Sequence, residues 1–276
     1  MPELPEVEFV SRALNARISG RRVRTAELLR ARLAPETSAD KFADSLAYAR
    51  INFVHRRGKN ILFDLDNGNT LLAHLRMSGR FMYLSNGDED PKFTHALLHF
   101  DDGTRLVFDD QRHFGLMKVL RSGEMHLDRS MSSLAPEPFS EEFCVDYLLA
   151  RLRGSNRSLK EFLLDQTKVC GLGNIYASEA MFRAGVSPRR RARNVPRTRI
   201  DLLYNSIIDV LNEAIELAES KVPHPSIIGE GVYGSGTNAD WHVYDRETQP
   251  CTVCASPIRR IRQGQRSTYY CPKCQR

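Results

Sequence analysis

The spacing of hydrophobic and polar positions changes along the chain. At the start, Val7, Val10, Leu14 and Ile18 recur at helical intervals and stop before Gly20, which predicts an amphipathic helix over residues 2–18. Pro5 suits its first turn, and Glu6 and Glu8 complement the positive end of its dipole. From about 22 to 121, short β-branched and aromatic runs take over, among them Ile61–Leu65, Leu71–Leu75 and Ala96–Phe100. Asn67-Gly68, Asn86-Gly87 and Asp102-Gly103 mark turns between them, and strands so regularly punctuated predict an antiparallel sandwich or barrel. Ala135-Pro-Glu-Pro138 reads as a linker.

Beyond the linker the period is helical, with segments near 140–152, 158–166, 174–184 and 197–219. The last carries Ile200, Leu203, Ile207, Leu211, Ala214 and Ile215 on one broad face. Two glycines in the turn Lys168-Val-Cys-Gly-Leu-Gly173 permit backbone conformations and close approaches that other residues resist. Residues 221–250, rich in Gly, Pro and Ser, predict a long loop. The expected class is α+β in two domains: an N-terminal helix plus antiparallel β-sandwich over 1–134, a linker over 135–139, and helices over 140–220. A loop region over 221–246 and a Cys-rich end over 247–276 complete it.

Composition narrows the class. At 276 residues, 41% hydrophobic and 27% charged, the chain can bury a sizeable core, which excludes disorder and collagen-like repetition. No apolar run approaches the roughly 20 residues of a membrane helix, and the acidic opening lacks the order of a signal peptide; a cytosolic protein is expected. The net charge of +6 is unevenly placed. Arg259, Arg260, Arg262, Arg266, Lys273 and Arg276 fall after residue 250 with no acid, and the preceding residues balance. A second acid-free run holds Arg189, Arg190, Arg191, Arg193, Arg197 and Arg199. Such patches meet nucleic acid or acidic lipid, or simply solvate a linker.

Cys251-Thr-Val-Cys254 and Cys271-Pro-Lys-Cys274 form a C-x2-C-x16-C-x2-C pattern whose two knuckles can converge on one tetrahedral ion. A closed four-thiolate shell leaves no place for water, so one structural Zn²⁺ is expected rather than a catalytic one. Two disulfides are the rival reading, disfavoured in a cytosolic setting. Cys144 and Cys170, in apolar surroundings, read as buried thiols.

Several motifs, in order along nearly the whole chain, resemble the Fpg/Nei family of bifunctional DNA glycosylases and its formamidopyrimidine-DNA glycosylase (Fpg) branch. They are Met1-Pro-Glu-Leu-Pro-Glu-Val-Glu8, Arg56-Arg-Gly-Lys59, His74-Leu-Arg-Met-Ser-Gly79, Arg112-His-Phe-Gly115, Gly171-Leu-Gly-Asn-Ile-Tyr-Ala-Ser-Glu179, and Gln265-Arg266 before the second Cys pair. The resemblance implies a helix–two-turn–helix second domain closed by a zinc finger. It also implies a monomer acting on double-stranded DNA that contains oxidised bases or abasic sites.

A Met-Pro start favours loss of the initiator, which would expose the secondary amine of Pro2. Read alone, Pro2 and Pro5 merely introduce a helix. A proline amine, however, can form an iminium with no N–H to lose, an electron sink for elimination. By resemblance, Pro2 attacks C1′ of the damaged nucleotide, and Glu3 performs acid/base work at the deoxyribose. Lys59, an edge-strand lysine when read alone, is implied to donate a proton in β-elimination. Arg266 is implied to clamp phosphates and serve δ-elimination.

A flipped base leaves a gap. Met77, Arg112 and Phe114 match the family's void-filling triad, although Met77 and Phe114 read alone suit a core. Backbone binding falls by resemblance to His74, His95, Asn156, Lys160 and Asn174, helped by the amides of the 168–173 turn.

Three features depart from the family pattern. Gln111 and His113 replace the Pro and Arg that commonly flank the triad arginine, and Asn156 stands where many members are basic. The segment Gly234-Ser-Gly-Thr-Asn-Ala-Asp-Trp-His-Val-Tyr-Asp245 replaces the usual Gly-Gly-Thr-Thr-Leu type, in the region of the lesion-capping loop. Oxidised purines are the expected lesions. A Nei-like enzyme for oxidised pyrimidines and a non-catalytic damaged-DNA binder are the alternatives, the first disfavoured by Pro-Glu-Leu-Pro-Glu at the start.

Overall fold

A computed structural model describes residues 1–221 and 241–276; most of the loop expected at 221–246 lies outside them. The described residues divide into two compact units, one holding Met1–Ser132 and residues 217–221, the other Ser133–Glu216 and the C-terminal segment.

In the first unit, helix α1 (Leu4–Ile18) precedes β1 (Val23–Leu28), α2 (Ala39–Leu46), β2 (Ile51–Arg57), β3 (Asn60–Leu65) and β4 (Asn69–His74). β5 (Gly79–Leu84), β6 (Thr94–Phe100), β7 (Arg105–Asp110), β8 (Leu116–Arg121) and the short α3 (Arg129–Ser132) follow. The strands form two antiparallel four-stranded sheets, ordered β1-β6-β7-β5 and β2-β3-β4-β8. One apolar core is shared by both sheets and by the Val7, Val10, Leu14 and Ile18 stripe of α1. Phe81 stands edge-on between Phe63 of one sheet and Phe108 of its own, with ring centroids 5.4 and 5.1 Å away. This is the expected sandwich, and its turn glycines Gly68, Gly87 and Gly103 adopt positive φ.

Helix α1 begins at Leu4 rather than at residue 2, because Glu3 and Glu6 form a reciprocal capping box in which Glu6 Oε2 accepts the Glu3 N–H at 2.7 Å. Helix α2 went unpredicted among the strands. Ser38 caps it, accepting the Lys41 N–H at 3.2 Å, and only Phe42 and Leu46 face the core.

The second unit contains α4 (Val145–Arg153), α5 (Leu159–Leu164), α6 (Asn174–Arg183), α7 (Arg197–Lys221) as far as Glu216, and a hairpin of β9 (Arg259–Gln263) with β10 (Arg266–Tyr270). The helix expected from 140 starts only at Val145, with Cys144 as its N-cap. That position corrects the reading of Cys144 as a buried thiol: the cap faces solvent, and Phe143 beside it takes the buried site. Cys170 is buried, its thiol 3.6 Å from Glu137 Oε1. Among the described residues no helix is long and apolar enough to cross a membrane.

Candidate functional site

Strand register gathers the loops of the sandwich at one end. Asn60 pairs with His74 and His74 with Leu116 in one sheet, while Gly79 pairs with Asp110 and Asp109 with Thr94 in the other. The turn holding Lys59, the 75–78 loop holding Met77 and the 111–115 loop holding Arg112 and Phe114 therefore share that end. The start of α1 is carried there too. Ser19 Oγ donates to the Asn52 carbonyl, the Val54 N–H to Asn15 Oδ1, and Arg56 Nε to Glu8 Oε2, at 2.8, 2.8 and 2.6 Å. α1 thus runs antiparallel to β2, and Pro2 and Glu3 lie beyond Glu8 in the direction of the β2–β3 turn. Pro2 is buried and Glu3 is 3% exposed.

Lys59 is not an edge-strand residue, as β3 is interior to its sheet. It sits in the two-residue turn of the β2–β3 hairpin, where Gly58, at φ +60°, supplies the positive first position of a type II′ turn. Lys59 is 7% exposed. Burial, with the Arg76 and Lys59 cations nearby, pushes the His74 imidazole down to about 3, so the ring is neutral. Its Nδ1 accepts the Arg76 N–H at 3.0 Å, leaving Nε2 as the donor.

Asp110 organises the two loops that carry the triad. Its Oδ1 accepts from Ser78 Oγ at 2.5 Å and the Arg112 N–H at 3.2 Å, and its Oδ2 accepts the Gly115 N–H at 2.7 Å. Burial alone would push this carboxyl up, but the Ser78 hydroxyl and the amides of Gly115, Arg112 and Phe114 outweigh it and hold the group below its usual range. A Cβ at Gly79 or Gly115 would stand 2.7 or 2.6 Å from the Phe108 ring, so both loops close directly over that core residue. The outcome is three exposed side chains on fixed stems. Met77 is 42% and Phe114 44% exposed, and the Arg112 guanidinium lies 5.2 Å from the Phe114 ring centre. Arg76 and His113, next to them, hold positive φ without being glycine, a strain of about 1 kcal/mol or more each that concentrates at functional sites.

His95 does not reach the surface. It is 3% exposed, with Nε2 placed 3.1 Å from the Asp110 carbonyl and 2.8 Å from His113 Nδ1, so its ring braces the 110–113 loop from inside. Lys160 requires a correction as a phosphate contact. It is fully buried, and its ammonium donates to the Asn174 carbonyl at 2.8 Å and to Ser178 Oγ at 2.7 Å; an ammonium so placed stabilises the negative pole of local carbonyls rather than an external anion. Asn156 is exposed in the loop before α5. Asn174, first residue of α6, fastens that helix to the finger by donating Nδ2–H to the Ser267 carbonyl at 3.0 Å.

The finger folds around its thiols. All four Sγ atoms lie within 4.8 Å of one another, with Cys251 to Cys274 at 3.9 Å and Cys254 to Cys271 at 3.4 Å. A disulfide needs about 2.05 Å, whereas Zn–S bonds of about 2.3 Å at tetrahedral angles separate sulfurs by roughly 3.8 Å. The donor set fits Zn²⁺, and Cys251, Cys254, Cys271 and Cys274 would hold it. Arg266 is exposed just after the β9–β10 turn, where Gly264 and Gln265 both have positive φ, the type I′ pattern.

Comparison with known proteins decides the family. The formamidopyrimidine-DNA glycosylase N-terminal domain matches residues 1–117, its H2TH domain 134–225, and the zinc finger found in FPG and IleRS 249–276. The chain is 40% identical to a formamidopyrimidine-DNA glycosylase of Bacillus licheniformis over 278 residues, covering all of both chains. The chain belongs to the formamidopyrimidine-DNA glycosylase family. Crystal structures of the Lactococcus lactis glycosylase bound to DNA with an abasic site, and to DNA with an N7-benzyl-Fapy-dG, superpose with TM-scores of 0.88 and 0.90. Each covers 99% of both chains, at 30% and 31% identity respectively.

Against that family's motifs, the sequence reading missed the residues that hold the site. Asp110 closes an apolar strand just before a loop, a place where a carboxylate accepts loop amides. Glu179 is the other. Buried on the apolar face of α6, it accepts the N–H groups of His242, Val243 and Tyr244 at 2.9, 3.0 and 2.9 Å, pinning the chain that enters the finger. Its signal was its spacing, three residues from the buried Tyr176 and Phe182.

Proposed function

We propose that this protein is a base-excision-repair DNA glycosylase and AP lyase that removes oxidised purines, 8-oxoguanine and formamidopyrimidines, from duplex DNA in the bacterial cytosol. The observation that carries the reading is the convergence of the α1 start, the Lys59 turn and the Met77, Arg112 and Phe114 tips at one end of the sandwich. Exposed Met77 and Phe114 open the stack and fill the gap of the flipped nucleotide, and Arg112 donates to the orphaned base. Neutral His74 offers Nε2–H to a phosphate, and Arg266 clamps another.

Once Met1 is removed, the Pro2 lone pair attacks C1′. The glycosidic C–N bond breaks and the base leaves with its electron pair. The Pro2 N–H proton passes to the departing base, and the freed nitrogen lone pair expels the ring oxygen, which takes a proton from Glu3 as the sugar opens, giving a cationic iminium on Pro2. Loss of a C2′ proton converts the iminium to an enamine, whose electron pair then expels the 3′ phosphate and restores a conjugated iminium, with Lys59 as the proton donor in this elimination. A second elimination, assisted by Arg266, releases the 5′ side. Water frees Pro2. Zinc held by Cys251, Cys254, Cys271 and Cys274 would serve folding and the placement of Arg266, since four thiolate ligands would leave no place for a reacting water.

Borohydride should trap the processed protein covalently on duplexes carrying 8-oxoguanine, formamidopyrimidine or an abasic site, with thymine glycol the poorest substrate. A protein carrying an uncleaved N-terminal extension should give no adduct. Trapping by the extended protein overturns Pro2 as nucleophile, and faster cutting of thymine glycol overturns the purine preference.

A further inference from the structure

The arginine run after residue 188 takes no part in this chemistry. In the helical unit it is paired with the loop before α5. Ser158 and Arg191 form an antiparallel bridge, the Leu159 N–H donates to the Arg190 carbonyl at 2.7 Å, the Ala192 N–H to the Arg157 carbonyl at 2.9 Å, and the Arg193 N–H to the Ser155 carbonyl at 3.1 Å. Arg153 reaches across as well, its guanidinium donating to the Arg193 carbonyl. These bonds fix the backbone of a ribbon whose exposed residues include Arg189, Arg191 and Arg193.

Of the acids nearby, Asp165 pairs with Arg157 at 3.1 Å, and Glu161 accepts from Ser158 Oγ at 2.7 Å and is turned towards the β9–β10 turn at Gly264. Arg189, Arg191 and Arg193 make no ion pair among the described residues. Like charges held on a fixed backbone repel, and an anion relieves that cost.

The ribbon abuts the finger hairpin. Gln263 Nε2 donates to the Pro188 carbonyl at 3.2 Å, and a Cβ on Gly264 would stand 3.4 Å from Glu161 Oε1. Its cations are therefore neighbours of the β9–β10 turn that presents Arg266. None of the exposed large hydrophobic side chains falls in 153–157 or 187–194, so the ribbon lacks the apolar anchors by which an amphipathic segment inserts into a membrane surface.

We propose that Arg189, Arg191 and Arg193 bind the phosphate backbone of undamaged duplex flanking the lesion. The ribbon lengthens the footprint and holds the enzyme on intact DNA between lesions. This inference rests on the glycosylase reading above, yet it concerns affinity for DNA without damage and not the reacting sugar.

The test uses the full zinc-loaded chain with Arg189, Arg191 and Arg193 all changed to Gln, and a second variant with all three changed to Lys. Binding is measured on an undamaged duplex several helical turns long across a salt series. Borohydride trapping is measured on a short duplex centred on 8-oxoguanine. The Gln variant should bind the long duplex more weakly by on the order of tenfold or more, with a log K against log salt slope shallower by about 2 to 3, since each phosphate contact contributes about 0.9. The Lys variant should restore the slope, and trapping on the short duplex should be unchanged. A Gln variant with the wild-type slope overturns the proposal, as does a loss confined to vesicles of acidic phospholipid. If the Gln variant fails to fold, a Lys variant with a shallow slope overturns it too, because charge alone is asked to suffice. Failure of the wild-type protein to trap would instead refute the glycosylase reading and leave the salt comparison standing as its own answer.

Discussion

The loop end of the sandwich and the zinc finger both present exposed side chains, Met77, Arg112 and Phe114 on the one and Arg266 on the other, but they are held by different forces. In the sandwich, Met77, Arg112 and Phe114 stand on loops that close over Phe108 and bond to the carboxylate of Asp110. A large apolar core lies directly beneath. The finger has a small cluster of Phe182, Val243, Ile258, Tyr269 and two of its cysteines. Its positioning falls to four thiolates, to Glu179, and to Gln275, which accepts the Cys271 N–H at 2.8 Å and donates to the Val186 carbonyl at 3.1 Å. Where burial is plentiful, one buried carboxylate suffices to shape a loop; where it is scarce, a metal and directed hydrogen bonds replace it.

Metal removal should break the comparison most sharply. Structural zinc contributes about 10–16 kcal/mol in comparable peptides, so chelation, or Cys254→Ser, should unfold the finger and abolish DNA binding while circular dichroism retains the β signal of the sandwich. Full affinity in a zinc-free protein would refute the structural role. Asp110→Ala should act in the other region. It leaves the Ser78 hydroxyl and the Gly115 amide without their acceptor, while the Arg112 amide keeps Ser78 Oγ at 3.1 Å, at about 2 kcal/mol or more in total. Calorimetry should show a lower melting temperature, and trapping on 8-oxoguanine duplex should fall, with zinc content unchanged. An unaltered melting temperature would show that the apolar core alone fixes these loops.

The smallest effect expected is a pH dependence. His74 in the folded protein titrates near 3, below the ordinary imidazole range, so below about 6.5 the unfolded chain binds the extra proton. The stability associated with a neutral His74 is complete above that pH and is lost as the pH falls towards 3. Melting curves between pH 7 and 4 should decline less steeply for His74→Gln than for the wild type; parallel declines would remove His74 from the account.

Much of this could be read along the chain. The α1 stripe, the strand-and-turn rhythm of 22–121 and the Cys spacing rest on local pattern, and each reappears in the fold. Individual side chains were less legible. Lys160 and His95 carry charge or ring nitrogens that read as surface ligands, yet each is enclosed by residues distant in sequence, Ser178 at Lys160 and Asp110 and His113 at His95. Cys144 shows the reverse, an apolar-looking position turned outward by its place at a helix cap. Asp110 and Glu179 were passed over because, the Ser78 hydroxyl apart, their partners are backbone amides, which nearly every residue possesses and no pattern marks.

The sequence by itself determined the family, the classes of element and the metal ligand set, because periodicity, turn chemistry and thiol spacing are local properties of the chain. Only the tertiary structure decided which cations and imidazoles face outward, which carboxylates hold the loops, and how strand register collects Lys59, His74, Met77, Arg112 and Phe114 at one end. Burial and hydrogen-bond pairing depend on residues far apart along the chain, and they come together only when the sheets close over a common core.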